Sequence, residues 1–168
     1  NIDIDSINQQ ELKEGINMIR EHEGFLPMLL GGYDVKYDSI GYGTLMSGKY
    51  AGNQPAIVAG ILGLASANDL KPVPKSVWSK LFANGANRTV PGNYTIISPK
   101  QGVEIMLRTK IKPELNTIRT VLNKNIKIAD HQVMAMLSLS YQMGAGRLRM
   151  LCRLINKGAG AADIYSFF

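Results

Sequence analysis

Three carboxylic acids in the first quarter of this sequence could share a proton-transfer reaction. Leu12, Ile16 and Ile19 recur at helical spacing, and the next position on that face, four residues beyond Ile19, is Glu23 rather than a hydrophobe. An acid that continues an apolar stripe is expected to be partly desolvated, which raises its pKa and keeps the proton that a general acid must deliver. Asp34 and Asp38 follow in a polar stretch, GGYDVKYDSIGYGT from Gly31 to Thr44, and either could supply a second carboxylate. A protonated carboxyl across a cleft from an ionised one is the pairing that breaks glycosidic bonds. Acids near helix ends and aspartates in turns also arise as caps and turn formers, so spacing alone leaves both readings open.

Other reactive residue types carry less. Cys152 is the single cysteine, so no intrachain disulfide can form, and its neighbours Leu148, Leu151 and Ile155 make it a core thiol with no histidine partner in view. His22 and His131 lie far apart without a cysteine or acid at ligand spacing, so no metal site is expected and no cofactor is implied.

The elements that must position these residues are mostly helices. Asn8 with Glu11 makes a capping-box start for the first helix, and Gly24 can end it directly after Glu23. Glycine, tyrosine and β-branched residues from Gly31 to Thr44 read as a short irregular hairpin. Residues 45 to 56 carry loop signals. Helices are then expected around Ile57, Ile61 and Leu64 and from Pro74 through Phe82, followed by a glycine- and asparagine-rich connection from Asn84 to Thr95. Ser98, Pro99 and Gln101 form a strong helix start, Pro113 restarts the chain, and Leu115, Ile118 and Leu122 mark the next helix. Asp130 is the expected cap of a helix that shows Val133, Met136, Leu137, Ser140 and Tyr141 on one side and is ended by Gly144 and Gly146. Leu148 to Asn156 reads as a last amphipathic helix, stopped by Gly158 and followed by a small-residue tail.

The 168 residues suit one domain, 45% hydrophobic and 19% charged, a composition that excludes disordered and fibrous chains. A formal charge of +6 favours anionic partners, among them the polymers of bacterial envelopes. The late basic cluster, Arg147, Arg149, Arg153 and Lys157, lacks the interleaved aromatics of a single-strand nucleic-acid surface, so no nucleic-acid partner is expected. The longest apolar stretch, Ala56 to Ala67, is broken by Gly60, Gly63 and Ser66 and is too short to span a bilayer, so no membrane insertion is expected. The chain opens with Asn rather than Met, so removal of an upstream segment stays open, and with it the localisation.

Several motifs in order resemble one family. Glu23-Gly24-Phe25 followed by Ser39-Ile40-Gly41-Tyr42-Gly43 is similar to the signature of phage lysozymes and endolysins, glycoside hydrolase family 24, where Glu-Gly ends the first helix and a hairpin carries Asp and then Thr-Ile-Gly-Tyr-Gly-His. The likeness resumes at Ile97 to Gln101, at Asp130 to Leu137, at Tyr141 to Gly146 and from Leu151 to Gly158, and covers roughly two-thirds of the chain in the family's order. The resemblance implies a muramidase cutting the β-1,4 bond between N-acetylmuramic acid and N-acetylglucosamine in bacterial peptidoglycan. It implies Glu23 as the acid, Asp34 as the second carboxylate, Ser39 as the hydroxyl that helps orient water, and Tyr42 and Gln142 as substrate contacts. The implied fold is α+β, mostly helical and lysozyme-like, with a small hairpin lobe and a larger helical lobe flanking a cleft, in a monomer.

The chain departs from the family at definite places. Asp34 precedes Ser39 by five residues rather than six, and Glu23 to Ser39 is longer by one, so Asp38 stays a rival for the aspartate's role. Ser39 replaces threonine, Thr44 replaces histidine and Gln142 replaces asparagine. Residues at about 45–95 have no counterpart and form an insertion that either shapes substrate choice or stabilises the fold. The family's closing tryptophan and double-arginine segment does not follow Phe168, which leaves open a fragment of a longer polypeptide or a replaced C-terminal part. Two other functions stay open: a lytic transglycosylase in which Glu23 acts alone, and a non-catalytic wall-binding or phage structural module.

Overall fold

The computed structural model describes residues 9–31, 39–83 and 92–167. The described chain is mostly helical with one small antiparallel sheet: α1 (Gln9–Glu23), β1 (Ser39–Ile40), β2 (Thr44–Leu45), α2 (Gln54–Ile61), α3 (Lys75–Ala83), α4 (Pro99–Met106), α5 (Lys112–Val121), α6 (Asp130–Met143), α7 (Ala145–Asn156) and α8 (Ala161–Phe167). It divides into two compact units, one built from residues 1–21 with 110–168 and the other from residues 22–109.

The first unit is a helical cluster. Ile16 and Ile19 from α1, Leu115 and Ile118 from α5, Val133, Met136 and Leu137 from α6, and Leu148 and Leu151 from α7 are all buried, as the helical periodicity of the sequence requires. A side chain of this size gains about 1.5–3 kcal/mol on full burial, so these stripes carry the unit. Gly15 belongs to the same contact surface: a β-carbon there would collide with the Met134 side chain. Asn156 joins two segments of the unit, donating from Nδ2 to Val121 O at 2.8 Å and accepting from Asn123 N–H at 2.8 Å.

Residues 26–31 form the spine of the second unit. Leu26 pairs with Gly41, Met28 with Ile96 in antiparallel fashion, and Leu30 with Val73 in parallel. Val73 N–H donates to Leu29 O at 2.8 Å, Gly31 N–H to Val73 O at 3.0 Å, and Ile97 N–H to Pro27 O at 2.8 Å. Three separate parts of the chain therefore hang on one extended segment. On it sits a core of Leu29, Ile40, Met46, Val58, Ile97 and Ile105. A smaller cluster of Met28, Leu30 and Val73 is packed by Trp78, whose Nε1–H donates to Gly31 O at 3.2 Å. Met46, Val58 and Val73, all within residues 45–95, contribute to these cores.

Several boundaries differ from expectation, each for a local reason. Asn8 lies outside the described residues, as does most of the Asn84 to Thr95 connection. α2 stops at Ile61, and Leu64 falls beyond it, because Leu64 N–H turns back to Ala59 O at 2.9 Å. Pro113 does not open a gap: residues 107–111 form one π-helical turn that runs directly into α5, with Pro113 in the first turn, where its missing N–H is harmless. The α6 cap is Ala129 rather than Asp130, since the Gln132 side chain reaches back to accept the Ala129 N–H at 3.0 Å. Gly144 alone ends α6. Gly146 instead lies in the first turn of α7, which begins three residues before the expected start at Leu148. The expected tail after Gly158 contains α8, whose Asp163 side chain accepts the Gly160 N–H at 3.2 Å.

Candidate functional site

The site begins at the end of α1. Glu23 is its last residue and is half-buried, on the face that Ile16 and Ile19 define. Gly24 follows with φ of 71°, the left-handed conformation that releases the chain from the helix and that a β-carbon would strain. Two residues later the chain is fastened to the hairpin: Leu26 N–H donates to Gly41 O at 2.9 Å, and Gly41 N–H donates back to Leu26 O at 2.8 Å. Ser39, half-buried at the start of β1, pairs with Leu45, and Ile40 pairs with Thr44 around the turn Gly41-Tyr42-Gly43. Glu23 and Ser39 therefore stand within three residues of one doubly bonded backbone pair, in one unit.

A ring pair braces this junction. The Phe25 and Tyr42 centroids lie 5.0 Å apart with the planes tilted by 40°, a favourable aromatic geometry. Both rings rest on α4 at Gly102, where a β-carbon would stand 2.8 Å from Phe25 Cε2 and 3.1 Å from Tyr42 Cε2. Tyr42 is only 4% exposed. A ring so covered supports the hairpin from within. Gly102 is absent from the sequence-based candidates. Its signal was a glycine inside an otherwise well-formed helix start, a position where glycine is costly unless a neighbour needs the space.

Asp34 and Asp38 lie outside the described residues. Gln142 is exposed near the end of α6, in the other unit. Thr44 is fully buried, and its hydroxyl has no hydrogen-bond partner among the described residues.

Two further ionisable groups are buried in the helical unit. Glu114 on α5 is 4% exposed, and desolvation raises its pKa, opposed by the Ser140 hydroxyl and by the charge of Lys110. Glu114 Oε2 and Ser140 Oγ make no hydrogen bond of good geometry, so the hydroxyl's influence comes from proximity and the neutral acid is the form the core prefers. Cys152 is fully buried, and burial pushes its thiol up to about 11, which keeps it protonated and unreactive. Among the described residues no group of three or more His, Cys, Asp or Glu is placed to hold a metal ion. Nor is any described helix long and apolar enough to cross a membrane. No family model and no curated protein matches this chain.

Proposed function

We infer that this chain is a peptidoglycan-cleaving muramidase in which Glu23 protonates the glycosidic oxygen. The observation that carries the reading is the junction itself: a half-buried glutamate at a helix end, released by Gly24 and tied through Leu26 and Gly41 to the hairpin that bears Ser39. Cleaving a glycoside requires a proton donor held in a fixed place relative to a water-orienting group, and a pair of backbone hydrogen bonds supplies that rigidity without depending on long side chains. Ser39 is the proposed water-orienting hydroxyl, Asp34 the proposed second carboxylate, and Tyr42 a positioning residue that holds the hairpin against α4. Gln142 is proposed as a substrate contact. The motif order Glu-Gly, Ser-Ile-Gly-Tyr-Gly and Tyr-Gln-Met-Gly supports the same reading.

The test is digestion of purified bacterial sacculi, followed by mass analysis of the soluble products. The expected products carry reducing-end N-acetylmuramic acid, each one water heavier than the corresponding anhydro form. Intact glycan strands after prolonged digestion in several buffers would count decisively against the reading.

A further inference from the structure

α7 turns Leu148, Leu151 and Cys152 into the core. Its opposite side carries Arg149 and Arg153, and Lys157 follows at the C-cap, all three exposed and four residues apart. That spacing places one cation per turn, about 6 Å from the next along the axis. No acidic residue occurs between Asp130 and Asp163, and the three side chains make no hydrogen bond or ion pair with the described residues. The contrast within the molecule is Arg108, whose charge is met by Glu104 one turn earlier at 3.2 Å. Like charges one turn apart repel, and the helix dipole compensates only those in the last turn. Arg149 lies in mid-helix, where the dipole gives it nothing.

We propose that this stripe is a binding surface for a linear phosphodiester polyanion, a polyol-phosphate chain with one negative charge per repeat and no aromatic base. Six bonds separate phosphorus atoms in such a chain. By the covalent geometry that sets 3.8 Å across three backbone bonds, they span about 7 Å, close to one helical turn. Arginine forks bind phosphate oxygens in pairs, and binding an anion at each cation relieves the repulsion along the helix. Single-stranded nucleic acid has a similar charge spacing, but α7 has no aromatic side chain on which a base could stack. The proposal is independent of the glycan-cleavage reading and is measured by binding alone.

The experiment titrates the whole chain into a fluorescently labelled ten-unit poly(glycerol phosphate) and follows anisotropy across a range of salt concentrations. Three phosphate contacts predict a log–log salt slope of roughly −2. The triple variant R149Q/R153Q/K157Q should lose that slope and bind at least about tenfold more weakly at low salt. The control K71Q/K75Q/K100Q removes the same charge from exposed positions in the other unit and should bind nearly as the parent does. Circular dichroism melts confirm that both variants fold. No saturable binding, unchanged binding in the stripe variant, or equal losses in both variants would overturn the proposal. Tighter binding to a ten-nucleotide thymidine strand than to the polyol phosphate would overturn it as well.

Discussion

Gly102 and Phe25 approach so closely that a β-carbon on the glycine would stand 2.8 Å from Phe25 Cε2, nearer than such atoms pack, with Tyr42 Cε2 only 3.1 Å away. The rings above α4 are the same ones that brace the junction between Glu23 and the hairpin. A methyl group at this position must therefore move either the helix or the ring pair.

Gly102→Ala is expected to lower the unfolding free energy by about 1–3 kcal/mol, the usual consequence of overpacking. The same change at an unencumbered helix position would raise stability by about 0.5–1 kcal/mol, so the sign of the effect is diagnostic. Urea melts of parent and variant measure it. A stabilised variant would show that the close contact is not maintained in solution.

Thr44→Val should stabilise the chain. The hydroxyl is fully buried and has no partner among the described residues, and an orphaned polar atom costs about 1–3 kcal/mol, while valine keeps the branched shape. Thermal melts should therefore show a higher midpoint for the variant. A lower one would mean that the hydroxyl is bonded in solution.

The Glu114 carboxyl should give stability a distinctive pH dependence. Its folded pKa is raised above the ordinary value of 4.5, chiefly by desolvation. Stability is thus fullest below the unfolded carboxyl's pKa and is lost as pH rises from there through the raised folded value, because only the unfolded chain ionises freely in that window. Glu114→Gln removes this contribution. Denaturant melts at successive pH values should show the variant gaining on the parent as pH increases. Parallel stability curves would contradict the assignment.

Asp34→Asn should abolish wall cleavage, while Asp38→Asn should retain most of it, if Asp34 is the carboxylate that activates water. Turbidity clearing of a wall suspension checks both variants side by side. The opposite ranking would assign the role to Asp38. Equal activity in both would point to Glu23 acting alone, with anhydro products.

The helices were the legible part of this sequence, since amphipathic stripes such as Ile16, Ile19 and Glu23 or Leu115 and Ile118 obey a local period that burial then enforces. Caps were half legible: Ser98 with Gln101 forms the expected reciprocal pair, but at Ala129 a glutamine side chain does the work without a capping residue of the usual type. The spine at 26–31 could not be read locally. Its partners Gly41, Val73 and Ile96 lie far along the chain, and an apolar run of that length fits helix and strand equally well. Gly102 and Tyr42 were obscured for the same reason, because whether a ring faces solvent or a helix depends on a contact made 60 residues away in sequence.

Glu23 is the proposed acid. Its most direct test compares Glu23→Gln with the parent chain in the rate of release of reducing-end muramic acid from purified sacculi, with stability and wall binding measured in parallel. Loss of a general acid costs about 10²–10⁴-fold in rate, so cleavage should fall by at least ~100-fold in a variant that folds and binds as the parent does. Cleavage by Glu23→Gln at the parent's rate would contradict it.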